Sequence, residues 1–478
     1  MSATPIPDNA ARFTPEELVE ATGGRWLAPP TRALEGVQLD SRRVAPGNVF
    51  VALKGETHDA HDYLPQVMAA GAHAVVVDRD VEAPEGVGVL RVEDTLTALG
   101  ALGALHRRRF DVPVVCITGS VGKTTTKELV AAALTGLGHA TVFTRGNLNN
   151  RVGVPMTLFT LDATHDAAVI ELGMSEPGEI ADLAAMAQPT IGLVTSVAAV
   201  HTEGVGGIDG VAREKGALLE ALSPDGAAIW FVDDAPLAAY AERSAAKTKI
   251  GYGTVEAADV RLARWELDGE AHTRAHVTFE GGSVDVALSL LGQAAAINAT
   301  GAVAVMRALA PEKLEAGAAA LTHVPQPPHR MVPVAVADDV LVIDDTYNAS
   351  PRSTEAALDT AAALASARGG RLIAVLGDML ELGRHEEHAH AEVGREVVRV
   401  GAAHFICCGE RMAHAGRAAL SATMERSQGA RTKILLLKNV DDAAGCVRDV
   451  VRPRDVVLVK GSRGMRMERV VAQLGDAG

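Results

Sequence analysis

The run Thr118-Gly119-Ser120-Val121-Gly122-Lys123-Thr124-Thr125-Thr126-Lys127-Glu128 stands between an apolar stretch and an amphipathic one, and no other feature limits the fold so tightly. Residues 112 to 118 (VPVVCIT) read as a buried strand. Leu129, Ala133 and Leu137, with Val130 and Leu134 beside them, form one helical face that stops at Gly138. A strand that turns through glycines into a helix builds a nucleotide phosphate cradle. Its backbone N–H groups, from Gly119, Ser120, Gly122 and the helix start at Lys123 to Thr125, converge on phosphate oxygens. Lys123 adds a point charge and Thr124 a hydroxyl for Mg²⁺. Ile117 stands where the usual consensus has its first glycine, which leaves the shorter T-G-S-x-G-K-T form.

Strand and helix signals alternate on either side of this loop. Up to residue 92, short strands such as Val49 to Leu53 and Ala74 to Val77 mix with turn-rich segments, as in a small α/β module. A helix from Thr95 to Arg108 leads into the loop, and 167–173 (AAVIELG), 178–187 and 191–197 (IGLVTSV) follow it. Such alternation predicts a mainly parallel sheet covered by helices. Residues 258–290 alternate polar and apolar side chains around Gly281-Gly282, which predicts an appended antiparallel hairpin. Pro325, Pro327 and Pro328 then break the chain before a second α/β series: 340–345, a helix near 353–367, 371–377, 404–408, 433–437 and 456–460. The expected fold is α/β in three domains: 1–92, a P-loop domain over 93–326, and a Rossmann-like domain over 327–478.

Bulk properties exclude several classes of function. A net charge of -15 argues against a nucleic-acid or anionic-membrane partner, because phosphate backbones are held by excess Lys and Arg. Cys116, Cys407, Cys408 and Cys446 lack metal spacing and read as reduced thiols. The start MSATPIPDNAARF has no basic n-region or apolar core, and no later stretch is long enough to span a bilayer. A soluble, cytoplasmic monomer is expected.

A phosphate loop says only that a nucleotide binds, so metal ligands are sought downstream. Glu171 closes the strand AAVIELG, where its carboxylate would lie beside the phosphates and where Mg²⁺ needs hard oxygen ligands; a surface glutamate or helix cap is the alternative. His201 and Glu203 follow the next strand. His-x-Glu also occurs in zinc deaminases, but the P-C-x-x-C partner is absent. From spacing alone, Lys215 in AREKGALL is a solvated surface lysine.

Taken in order, TGSVGKTTTKE, GNLNNRVGVP at 146–155, ELG at 171–173, His201, Glu214-Lys215-Gly216, Asn298, His329-Arg330 and DDTYNASP at 344–351 resemble the Mur ligase family, ATP-dependent enzymes that form amide bonds in the peptidoglycan precursor. The resemblance covers nearly the whole chain. LDSRRVAPGNVFVAL at 39–53 together with GDMLELG at 377–383 and DDTYNASP most resembles the branch that adds D-alanyl-D-alanine to UDP-N-acetylmuramoyl-tripeptide, although LDSRRV-type segments are shared with the diaminopimelate-adding branch and the first domain does not separate the two. The D-N-P-R signature of the diaminopimelate-adding branch is absent.

The resemblance implies these roles. Lys123 holds the β- and γ-phosphates of ATP, and Thr124 and Glu171 hold one Mg²⁺. His201 and Lys215 hold a second, Lys215 as an N-carboxylated lysine, since a carbamate is an anionic oxygen ligand where an ammonium would be repelled. Asn298 contacts adenine, Arg330 the γ-phosphate and Asp345 the ribose. Asn150, Tyr347 and Asn348 lie near the sugar-peptide, with Ser41 and Arg42 at its uridine diphosphate end. Ser41 and Arg42 otherwise read as a turn with a surface arginine. Lys460 or Arg463 in VKGSRG is the candidate cation for the dipeptide carboxylate, each otherwise a solvated loop charge. The resemblance also implies that the domains carrying Lys123 and Arg330 close on each other about the segment near 325. Rival readings are a P-loop kinase or GTPase, a non-catalytic scaffold, and a folylpolyglutamate-type or sibling tripeptide ligase. The guanine signature N-K-x-D is missing.

Overall fold

The computed structural model describes residues 4–55, 57–82, 84–197, 207–380, 382–425 and 431–475. Among them, strands assemble into three large sheets and a two-stranded ribbon. The first sheet is parallel through Val37–Gln38, Val49–Val51, Ala74–Val77 and Gly88–Arg91, and Arg25–Ala28 closes it antiparallel. Its strands are too short to bury a core alone. Helix Thr95–Arg107 completes one, placing Ala98, Leu99 and Leu102 beside Val49, Val51 and Leu90 on one side and Met156 and Phe159 on the other.

The nine-stranded central sheet has the order Gly282–Leu288, Thr273–Phe279, Val260–Leu267, Thr248–Gly253, Ala227–Phe231, Ile191–Val194, Val114–Thr118, Ala167–Glu171, Thr141–Phe143. From Thr141–Phe143 as far as Val260–Leu267 every pairing is parallel. The inner strands Val114–Thr118, Ala167–Glu171 and Ile191–Val194 are buried along their whole length and read as near-continuous apolar runs. The expected hairpin over 258–290 is instead a three-stranded meander that continues this sheet, turning at Gly281 with φ 87°. The period-two signal was correct, but it does not reveal that the first of these strands also pairs with Thr248–Gly253.

The third sheet runs Val332–Val336, Val340–Asp345, Val456–Lys460, Leu372–Gly377, His404–Cys408, Lys433–Leu437 and is parallel after its first, antiparallel pair. Its lobe docks on the central one through helix Pro351–Arg368. Ala271 and Leu291 of the central lobe are buried in the third sheet's core with Leu358, Ala361 and Leu364. Close approach here needs a glycine: a Cβ on Gly292, at φ 83°, would lie 2.2 Å from Thr360 Oγ1. No helix among the described residues is long and apolar enough to cross a membrane.

Candidate active site

The loop after Val114–Thr118 takes its shape from two glycines. Gly119 sits at φ 150°, where a Cβ would fall 1.9 Å from Thr195 Oγ1, and Gly122 at φ 93° caps helix Lys123–Gly136. The N–H groups from Gly122 to Thr125 precede the first intrahelical bond, Thr126 N–H to Gly122 C=O at 2.8 Å, so the helix itself offers them no acceptor. Lys123 Nζ donates to the Gly119 carbonyl at 2.5 Å, folding its charge over the loop. Burial depresses its ammonium, Glu171 opposes that effect, and the nearby Arg330 guanidinium adds to it.

Glu171 lies opposite Ile117 in the parallel register and is buried. Its Oε1 accepts from Asn149 Nδ2 at 2.8 Å, while Oε2 is buried with no hydrogen-bond partner among the described residues. A partnerless buried carboxylate oxygen beside a helix start is a strong site for a hard cation. Helix Gly207–Glu220 brings in Lys215, also buried. Burial pushes its pKa well down, Lys123 pushes it further, and Glu214 partly restores it. Glu214 is committed to the Gly178 N–H at 2.6 Å. Asn298, on helix Gly292–Leu309, presses its amide oxygen against the loop, 2.6 Å from where a Gly122 Cβ would stand.

Arg330 arrives from the other lobe. It is flanked by His329 (φ 60°) and Met331 (φ 55°) and stacks on the Tyr347 ring at 3.9 Å. Arg463 lies 5.8 Å from the same ring, and its Nη1 is buried without a partner among the described residues. Lys123 and Arg330 thus stand near each other and near Glu171, with Arg463 beside the same tyrosine ring, a concentration of positive charge suited to a polyanion.

Three family models match the chain: the Mur ligase middle domain over residues 117–306, the Mur ligase glutamate ligase domain over 329–463, and the Mur ligase family catalytic domain over 33–107. The chain is 37% identical to the UDP-N-acetylmuramoyl-tripeptide--D-alanyl-D-alanine ligase of Escherichia coli strain K12, covering 93% of this chain and 94% of that protein. It belongs to the Mur ligase family. A crystal structure of MurF from Acinetobacter baumannii superposes with a TM-score of 0.86 at 32% identity, covering 98% of this chain and 100% of the other. The MurF ligase from Thermotoga maritima in complex with ADP gives 0.80 at 26% identity, covering 92% and 97%.

Within this Mur ligase, several residues stand where the motifs did not foresee. Lys460 is not a free cation for a substrate carboxylate. It is buried, donates to Asp345 Oδ2 at 2.5 Å and to the Asn348 carbonyl at 2.9 Å, and thereby ties two motif positions together. The reason is register: Lys460 and Asp345 are direct neighbours on adjacent parallel strands. Asp345 also accepts from the Met331 N–H at 3.1 Å, so it anchors the backbone beside Arg330. Its neighbour Asp344 is held by His329 Nδ1 at 2.8 Å.

Asn150 uses its side-chain oxygen to accept from the Val152 and Gly153 N–H groups at 3.1 and 2.9 Å, which starts helix Gly153–Leu158. In the same run it is Asn149, missed from sequence, that reaches Glu171. Ser41 accepts from Gln66 at 2.8 Å, and Arg42 is exposed and paired with Asp40 at 2.7 Å, the surface-turn alternative. His201 and Glu203 lie outside the described residues.

Proposed function

We propose that this Mur ligase joins D-alanyl-D-alanine to the terminal carboxylate of UDP-N-acetylmuramoyl-tripeptide, with ATP cleaved to ADP and phosphate. The observation that carries the reading is the glycine-shaped loop that folds Lys123 over its own backbone near Glu171, with Arg330 of the other lobe, stacked on Tyr347, near enough to help depress the Lys123 ammonium. High-coverage identity to a ligase of that name supports the substrates, and a MurF relative with ADP supports the nucleotide.

A carboxylate is a poor electrophile, so amide formation first turns its oxygen into part of a leaving group. The tripeptide carboxylate attacks the γ-phosphorus in line, giving an acyl phosphate and ADP. The dipeptide amine then attacks the carbonyl, and the tetrahedral intermediate collapses with loss of phosphate. An α-amino group of pKa about 8 is partly neutral at cellular pH and needs little general-base help. The protein's work is positioning and charge neutralisation. Lys123 holds the β- and γ-phosphates, and Arg330, stacked on Tyr347, supplies a second cation for the γ-phosphate. Of the two candidate cations, Arg463, whose Nη1 has no partner among the described residues, is the better suited to receive the dipeptide carboxylate, since Lys460 is paired with Asp345.

Thr124 and Glu171 Oε2 fit one Mg²⁺, which when bound would offset phosphate charge. Lys215, a buried amine whose ammonium is disfavoured by burial and by Lys123, is suited to take up CO₂ as a carbamate, which would supply a second anionic oxygen site. Bicarbonate carrying ¹³C should yield a carbamate carbon resonance that Lys215→Arg lacks. We place the domain boundaries near residues 92 and 326, the hinge in the segment around Pro325, and the reaction of the monomeric chain in the cytoplasm.

The test is phosphate release with UDP-muramoyl-tripeptide and a panel of amines: D-alanyl-D-alanine, D-alanine, L-lysine, diaminopimelate and glutamate. Release should require the tripeptide and favour the dipeptide, and Lys123→Ala should abolish it. Release without an amine, or preference for a single amino acid, would refute the assignment.

A further inference from the structure

Thr195, Ser196 and Val197 follow the strand Ile191–Val194, and none of the roles above uses them. Two of the three face the phosphate loop. Thr195 Oγ1 donates to the Val121 carbonyl at 2.6 Å. The Ser196 carbonyl accepts from the Ser120 N–H at 2.8 Å, and its hydroxyl accepts from the Val121 N–H at 3.0 Å. These bonds withdraw two amides from the cradle and aim the rest of the loop. The third residue is held from two sides. Val197 N–H donates to Asp234 Oδ2 at 2.6 Å, and the Val197 carbonyl accepts from Arg352 Nη1 at 3.3 Å. Arg352 Nη1 also donates to Asp234 at 2.9 and 3.1 Å.

Asp234 belongs to the central lobe, whereas Arg352 is the second residue of helix Pro351–Arg368 in the C-terminal lobe. Side-chain exposure is 44% for Arg352 and 11% for Asp234, so the pair adds little to stability as an ion pair. What it does is orient a peptide unit. With the C-terminal lobe docked, Arg352 holds Asp234 and Val197 in line, and the adjoining Ser196 holds the loop.

We propose that Arg352, Asp234 and Ser196 are positioning residues that couple docking of the C-terminal lobe to the shape of the phosphate loop, so that nucleotide affinity depends on an inter-lobe pair outside the loop. The proposal rests on reading the loop as the nucleotide site. Coupling is reciprocal, so a bound nucleotide favours the docked lobe by the same factor.

The test is calorimetric titration of the full-length chain with the non-hydrolysable analogue AMP-PCP and Mg²⁺. Arg352→Ala should weaken binding about fivefold or more, within the usual range of such coupling, while Arg352→Lys recovers part of the loss. Ser196→Ala should weaken it as well. Because both act through one path, the double variant should lose less than the product of the single losses. A pair that only glues the lobes would lower the melting temperature and leave affinity unchanged. Asp234→Asn, close in shape, provides the same comparison should Arg352→Ala fold poorly. Affinity within about twofold of wild type in these variants, or fully multiplicative losses, overturns the relay alone. Failure of the wild-type chain to bind AMP-PCP would remove the nucleotide reading, and the relay with it.

Discussion

Glu171 has two carboxylate oxygens, and one amide decides which of them is left for the proposed Mg²⁺. Asn149 occupies Oε1 and leaves Oε2 without a partner among the described residues. Asn149→Ala should therefore raise the Mg²⁺ concentration for half-maximal turnover about 10–100-fold, as loss of a ligand-orienting partner does. A magnesium titration at saturating ATP checks this, and an unchanged midpoint would count against the site. Lys215 carries a cost of the opposite kind. Its ammonium is pushed well below 10.5 by burial, then by Lys123. Between the folded and unfolded values the unfolded chain holds a proton that the folded amine has released. Stability therefore rises with pH across that window, and the penalty is fully present below the folded value. In protein freed of CO₂ and divalent cations, Lys215→Met should stabilise the fold by about 1–2 kcal/mol at pH 7, flatten the pH slope and abolish turnover. Denaturant melts over a pH series would show it, and a slope equal to wild type would contradict the burial argument.

At the scale of elements, the phosphate loop works because a strand, two glycines and a helix meet a second helix. Gly122 at φ 93° lets the loop pass beneath Asn298, leaving no room for a methyl group. Gly122→Ala should cost about 1–3 kcal/mol through backbone strain and weaken AMP-PCP binding by more than tenfold, because the contact with Asn298 must open. Unfolding and calorimetry measure the two losses separately; retained affinity would mean that the cradle tolerates a different loop path. Most elements were readable from the chain: 340–345, 404–408, 433–437 and 456–460 appear at their expected bounds. Buried parallel strands are apolar on both faces, so three of these stand out as runs, while the exposed edge strand Lys433–Leu437 stands out by its run ILLL alone. Edges were less legible. The strand expected over 112–118 starts at Val114, and Val49 to Leu53 shortens to Val49–Val51, because strand ends depend on which neighbour is present to pair.

At the scale of the molecule, the site is a junction between lobes. Arg330 comes near enough to Lys123 to lower its ammonium's pKa while helix Pro351–Arg368 packs on Gly292 and Leu291 and Ala271 are buried in the third sheet's core. AMP-PCP and UDP-muramoyl-tripeptide together should shift the solution ensemble toward this docked form, seen as a smaller radius of gyration in small-angle scattering; an unchanged radius would refute ligand-driven closure. The order of strands and helices, the cradle and the family were written in local runs of residues, because hydrophobic period and turn chemistry act over a few neighbours. Pairings were not. Lys460 with Asp345 and Arg352 with Asp234 join residues 115 and 118 positions apart. Only strand order and lobe docking bring such groups into contact, and so only the tertiary structure could turn Lys460 from a substrate cation into the anchor of Asp345.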